Sequence, residues 1–203
     1  MRPPAATDLT APPAERAQRA DARRNRERVL EAARELMGRE GLDVGMDEIA
    51  QRAGVGVGTV YRHFPTKDAL VEALADQRFA RLAEWAREAL AEDEPWPAFE
   101  RFIRRGAELQ ASDAALVEVM RSRGEVMREA AERHGLLDLM RKLVRRAQRD
   151  GSLRRDMRAE DVPMIMCGLG TATCSTPGEI AGPDGWRRYL EILLSGMRAP
   201  GAG

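Results

Sequence analysis

Along almost the whole of this chain the apolar residues recur at intervals of three and four, and nowhere do they alternate. From Asp21 to Arg39, Val29, Leu30, Ala33, Leu36 and Met37 share one face of a helix and charge covers the other. Periodicity of this kind with no strand pattern and no fixed-period repeat restricts the chain to an all-α fold. The 203 residues suffice for one domain or two small ones. Aromatic residues make up 4% and charged residues 33%, which suits helices packed through aliphatic side chains.

Glycine and proline cut the pattern into segments. The first helix is expected to close at Gly41, and "MDEIAQRA" forms a short second one with Ile49, Ala50 and Ala53 inward. Asp47 and Glu48 suit its N-terminus, and Gly54 stands where a left-handed cap belongs. A third short helix runs from Val57 to Phe64 and stops before Pro65, because the residue before proline is pushed out of helical geometry. Thr66 caps a long fourth helix over 67–92 with the stripe Leu70, Leu74, Phe79, Leu82 and Trp85. Further amphipathic helices are expected over 95–112, 113–122, 124–133 and 135–150. The segment 159–175 is apolar on most sides, as a helix buried between others would be, and the last helix spans 182–198. The Pro- and Ala-rich start lacks the apolar centre of a secretory signal, so residues 1–20 read as a disordered leader and 199–203 as a frayed tail. No apolar run approaches the ~20 residues of a membrane span, and a cytoplasmic protein with no membrane partner is expected.

Net charge is zero, so any polyanion must be met by a local patch. One stretch supplies it: from Ile49 to Lys67 there are Arg52, Arg62 and Lys67 and no acid. The same stretch holds three glycines in five positions, "GVGVG". A dinucleotide fingerprint needs a third glycine where Thr59 or Tyr61 stands, and it needs a preceding strand. Both conditions fail, and the Lys-Ser/Thr pair of a phosphate-binding P-loop is missing. The spacing that fits is Ala50, Gly54, Val60: a small residue for close helix crossing, a glycine for the turn and an apolar residue seating the second helix. That is a helix-turn-helix.

"MDEIAQRAGVGVGTVYRHFPTKDAL" resembles the DNA-binding signature of the tetracycline-repressor (TetR) family of transcriptional regulators. The resemblance is sequence-specific over residues 22–75. Beyond them, only the helical layout and "GSLRRDM" fit. It implies a helix-turn-helix domain over 21–66 and a helical ligand-binding and dimerisation domain over 67–198. It also implies that Val57, Gly58 and Thr59 open a recognition helix in the major groove. Tyr61 is similar to the family's backbone-contacting tyrosine. Arg62 is the candidate for bidentate reading of guanine, and His63 and Lys67 look like phosphate clamps that fix register. Where many relatives have Thr and Ser this chain has Gly45 and Gly56, which lack a capping hydroxyl. Val57 replaces a position that is often polar, so readout leans on Thr59 and Arg62. Arg23, Arg24 and Arg26 either form an arm reaching phosphates or the minor groove, or are the solvated start of the first helix.

By resemblance, the last two helices pair with their mates in a homodimer, through Gly168, Gly170, Thr171, Ala172 and Thr173 on one and Trp186, Tyr189, Leu190, Leu193 and Met197 on the other. The alternative is that both close the monomer core. Met120, Met127, Met140, Met164 and Met166 either fill core or, with Trp96, Phe99 and Phe102, line an adaptable apolar ligand cavity. Cys167 and Cys174, seven residues apart on one helix, cannot bridge within the chain and are expected to be reduced and buried rather than a redox switch. With His134, expected at the surface or as a cap, they form no zinc spacing; no metal or cofactor is expected. The partners implied are an operator in double-stranded DNA, a small-molecule effector and a second copy of the chain. A dimer released from a palindromic operator by a small apolar molecule is the leading function. A redox-sensing or constitutive regulator is the alternative, and a helical enzyme a distant one that no catalytic constellation supports.

Overall fold

The computed structural model describes residues 12–112, 123–175 and 185–201, and every regular element among them is an α-helix. These are α1 (Pro13–Glu40), α2 (Met46–Ala53), α3 (Val57–His63), α4 (Lys67–Ala91), α5 (Pro95–Ser112), α6 (Gly124–Arg133), α7 (Leu136–Arg149), α8 (Asp161–Ser175) and α9 (Gly185–Met197). The helix expected over 113–122 lies outside the described residues. None of these helices is long and apolar enough to cross a membrane.

Two apolar cores share one long helix. The first joins Val29, Leu30 and Met37 of α1, Ile49 and Ala50 of α2, Val60 of α3 and Leu70, Val71 and Leu74 of α4, with Met127 and Ala130 of α6 beneath. The second gathers the rest of α4 with α5, α7, α8 and α9 around Phe99, Ile103, Leu143, Leu169 and Leu194. Helix α4, with 25 residues and therefore ~37 Å long, runs through both. Phe79, midway along it, packs against both cores.

Three expectations change. Helix α1 begins at Pro13 rather than Asp21, so residues 13–20 are helical and not part of a disordered leader. Proline at the first helical position is preset for the helix, and the ion pairs Glu15–Arg19 and Glu27–Arg23 lie one turn apart on α1. The tail is tied down as far as Ala199: Arg154 N–H donates to the Met197 carbonyl (3.0 Å) and Ala199 N–H to that of Ser152 (2.9 Å). Helix α8 is not buried between others. Val162, Leu169 and Gly170 face the chain's own core, whereas Met164, Cys167, Gly168 and Thr171 are exposed. One face packs on α5, where a Cβ at Gly170 would collide with the Gln110 amide, and another meets α9, while Met164, Cys167, Gly168 and Thr171 stay exposed among the described residues.

Candidate nucleic-acid interface and ligand cavity

The turn between α2 and α3 is built by glycine. Gly54 adopts the left-handed conformation (φ 62°) and its N–H caps α2 on Gln51 O at 3.1 Å. Arg28 of α1 reaches across so that its Nη2 donates to the Gly54 carbonyl (3.0 Å). At the other end of α2, Gly45 N–H donates to Glu48 Oε2 (2.9 Å), which supplies half of a capping box without a capping hydroxyl. Gly56 precedes α3 with no side-chain cap, as the missing serine implies. Gly54→Ala is expected to cost about 1–2 kcal/mol for the left-handed backbone alone. The new Cβ would also lie 2.7 Å from Arg28 Nη2. Urea unfolding measures this, and a neutral substitution would contradict it.

Only Val60 of α3 is buried. Ala50 and Val60, 3% and 0% exposed, seat the two helices as the spacing requires. Val57 and Tyr61, one turn apart, remain 43% and 48% exposed. Gly58 and Arg62 are exposed beside them, and Thr59 is half-buried. His63 is half-buried with its ring tilted against Phe64 (6.3 Å between centroids). Lys67 opens α4, where the Thr66 hydroxyl oxygen accepts from Ala69 N–H (3.1 Å). No ion pair among the described residues engages Arg62 or Lys67, whereas Arg52 is paired with Glu35 and so drops out of the basic stretch. Arg23, Arg24 and Arg26 lie on the helical part of α1, not on an extended arm. Arg23 is paired with Glu27 and Arg24 with Asp21, and the Arg26 guanidinium stacks 5.3 Å over the Phe64 ring. The segment is a continuous helix rather than an extended arm, and Arg23, Arg24 and Arg26 stay exposed on it.

A cavity of about 110 Å³ opens between α4, α5, α6, α7 and α8. Four of the sequence candidates line it: Phe102, Met127, Met140 and Met166. Trp96 and Phe99 do not. They sit one to two turns nearer the start of α5, packed on each other (6.0 Å between centroids), with Arg198 4.7 Å over the Trp96 ring. Met120 lies outside the described residues, and Met164 is 74% exposed. The sequence reading missed Arg78 and Gln110, which also line the cavity and are buried, at 8% and 5% exposed.

Of the dimer candidates, Gly168, Thr171 and Tyr189 are exposed, and Trp186 and Leu193 are half-buried. Leu190 and Met197 are corrected: each is 3% exposed and belongs to the chain's own core, because α9 turns its i, i+4, i+7 positions 190, 194 and 197 inward. The outward side of α9 carries Tyr189 and Ile192 instead. Cys167 is exposed, not buried as expected, and the side chains of Ala172, Thr173 and Cys174 lie outside the described residues. Arg104 of α5 hydrogen-bonds Glu191 (2.8 Å from Nη2) and holds that carboxyl below its usual range, tying α9 to α5. His134 caps α6 and its Nε2 lies 2.9 Å from Asp76 Oδ1 on α4. No cluster of metal-ligating side chains occurs among the described residues.

The family model for bacterial regulatory proteins of the tetR family matches residues 29–74. The model for the C-terminal domain of SbtR-like transcriptional regulators matches residues 94–199. A TetR transcription regulatory protein from Mycobacterium vanbaalenii is 38% identical, with a TM-score of 0.63 over 90% of this chain and 99% of that one. A TetR transcriptional regulator from Streptomyces coelicolor is 30% identical, with a TM-score of 0.61 over 86% and 98% of the two chains. An HTH-type transcriptional regulator of Staphylococcus aureus is 36% identical over 86 residues, which cover 41% of this chain and 44% of that protein.

Proposed function

This chain belongs to the TetR family of bacterial transcriptional regulators, and we propose from that premise that it is a repressor released from DNA by a small apolar molecule. As a family member it is a DNA-binding regulator and not an enzyme. The observation that carries the DNA reading is the outward face of α3, where Val57, Tyr61 and Arg62 stand exposed while Val60 is the helix's one buried residue. On that face Arg62 reads guanine and Thr59 and Val57 meet thymine methyls. Tyr61, His63 and Lys67 grip phosphates and set the register.

The exposed strip of Met164, Gly168 and Thr171 with Tyr189 and Ile192 pairs with its mate across a two-fold axis, giving a cytoplasmic homodimer and a palindromic operator. The half-sites then lie one or more helical turns apart, ~34 Å each. Phe79 and Met127 support the release step: both line the cavity and both pack on the helix-turn-helix core. A ligand that displaces them acts on α4 and thereby on the spacing of the recognition helices. A near-complete switch requires ~5.5 kcal/mol of differential affinity between the two states.

Arg62→Ala is expected to lower operator affinity by about 1–3 kcal/mol while leaving random DNA nearly unaffected. Lys67→Ala weakens binding to both alike and reduces the salt dependence by about one phosphate contact. Fluorescence anisotropy on operator and shuffled duplexes checks the pair. Equal losses on both duplexes for Arg62→Ala would remove its base-reading role.

A further inference from the structure

We propose that a groove remote from α3 binds a compact phosphate chain, an oligophosphate of three or more linked phosphates, free or as the tail of a nucleotide. The groove lies where the ends of α4 and α7 meet the segment that follows α7, and its volume of about 670 Å³ is that of a small-molecule site. Five of its seven lining residues are basic, Lys142, Arg145, Arg146, Arg149 and Arg155, and none of them is acidic. Leu90, also in the lining, is separated from Lys67 by most of the 25 residues of α4, ~35 Å along its axis. The groove is therefore not part of the DNA face.

Both walls are fixed by hydrogen bonds to the backbone. Arg146 donates to the carbonyls of Leu90 (2.9 Å), Glu92 and Asp93 (2.9 Å), closing the end of α4 against α7. Gln148 Nε2 donates to the carbonyls of Arg154 (3.1 Å) and Met157 (2.8 Å), which holds the following segment with Arg155 exposed on it. Opposite stand Lys142, Arg145 and Arg149, spaced by three and four on one exposed face of α7 over ~10 Å.

These charges are not matched within the chain. Asp138 and Glu160 pair with Arg141, and Asp156 with Arg154, so the acids of this region are engaged elsewhere. No ion pair among the described residues engages Lys142, Arg145, Arg149 or Arg155, and Arg149 Nε donates to the Arg145 carbonyl one turn back (3.3 Å). Complementing the helix dipole accounts for Arg146 and Arg149 in the last turn of α7. It does not account for Lys142 and Arg145, which precede that turn, or for Arg155 beyond it, and like charges one turn apart repel. Phosphate oxygens fit the arginine fork and accept the lysine as a point charge. A chain of phosphates meets cations spread along the helix at once, which a lone phosphate is too small to do. No aromatic residue is among the lining, so the phosphates rather than a base are recognised.

The test is calorimetric titration of the full-length protein with tripolyphosphate, ATP, orthophosphate, adenosine and a hexaglutamate peptide at low salt. Tripolyphosphate and ATP are expected to bind at one site per chain, roughly 10-fold or more tighter than orthophosphate or the peptide, and adenosine not at all. The tighter of the two tells a free oligophosphate from a nucleotide tail. Replacing one cation on each wall, Arg145→Gln with Arg155→Gln, should weaken both at least roughly 10-fold, whereas Arg62→Ala with Lys67→Ala should leave them unchanged. Operator affinity and melting temperature of the Arg145→Gln, Arg155→Gln protein should match the unmodified one, since both side chains are exposed. Should it melt lower, Lys142→Gln alone, on the exposed face of α7, must show the weakening. Absence of binding, orthophosphate, adenosine or hexaglutamate binding as tightly as tripolyphosphate, or loss through Arg62 and Lys67 in place of the groove would each overturn the proposal. Weaker binding of random DNA by the groove variant would overturn it too, by assigning these cations to a duplex.

Discussion

Replacing Phe64 by alanine is expected to lower the stability of the N-terminal core by about 3–5 kcal/mol and to remove operator binding with it. Phe64 is 2% exposed and ends α3, its N–H donating to the Val60 carbonyl (2.8 Å). Pro65 follows at once, so the chain leaves the helix at a fixed angle and re-enters at Thr66. The ring therefore fills the corner where α3 meets α4, covered from α1 by the Arg26 guanidinium 5.3 Å above it. Truncation leaves a cavity that three helices cannot close without moving α3, the element that carries the exposed Val57, Tyr61 and Arg62. Urea unfolding followed by far-UV circular dichroism checks the effect; a loss below about 1 kcal/mol would show that this corner does not hold the recognition helix.

The second large effect is expected at Met164. Its side chain is 74% exposed, so Met164→Asp should leave the folding of one protomer nearly untouched. If α8 and α9 pair with their mates, the same change buries an unpartnered carboxylate at the dimer seam. The dimer dissociation constant should then rise roughly 100-fold or more. Operator affinity falls with it, because each half-site alone is held by one short helix. Analytical ultracentrifugation separates the two outcomes: monomers with an unchanged melting temperature are expected, and an intact dimer would place the interface elsewhere.

The helix-turn-helix was legible because its constraints are local. Ala50, Gly54, Val60 and Pro65 each carry a steric consequence that no tertiary context overrides, and all four act as the spacing implies. The start of α1 was obscured by composition, since Pro and Ala resemble a leader, while the pairs one turn apart at Glu15–Arg19 and Arg23–Glu27 favour a helix. Arg78 was visible and overlooked: in the run Leu70, Leu74, Arg78, Leu82 a charged residue interrupts a buried stripe, and Gln110 does the same after Ile103 and Ala107 on α5. Helices α8 and α9 could not be apportioned from periodicity. A helix apolar on two sides needs two partners, and nothing in the pattern says that Leu190 and Met197 face their own core while Tyr189 and Ile192 face outward.

If the exposed face of α3 reads DNA, the protein must discriminate between duplexes of equal composition. The most direct measurement titrates the purified full-length protein against duplexes from the region flanking its own gene and against shuffled duplexes of equal composition, at two salt concentrations. One site is expected to be bound roughly 1,000-fold or more tighter than its shuffled counterpart, with affinity falling linearly in log salt and two copies of the chain per site. Equal affinity for native and shuffled DNA at both salt concentrations would contradict it.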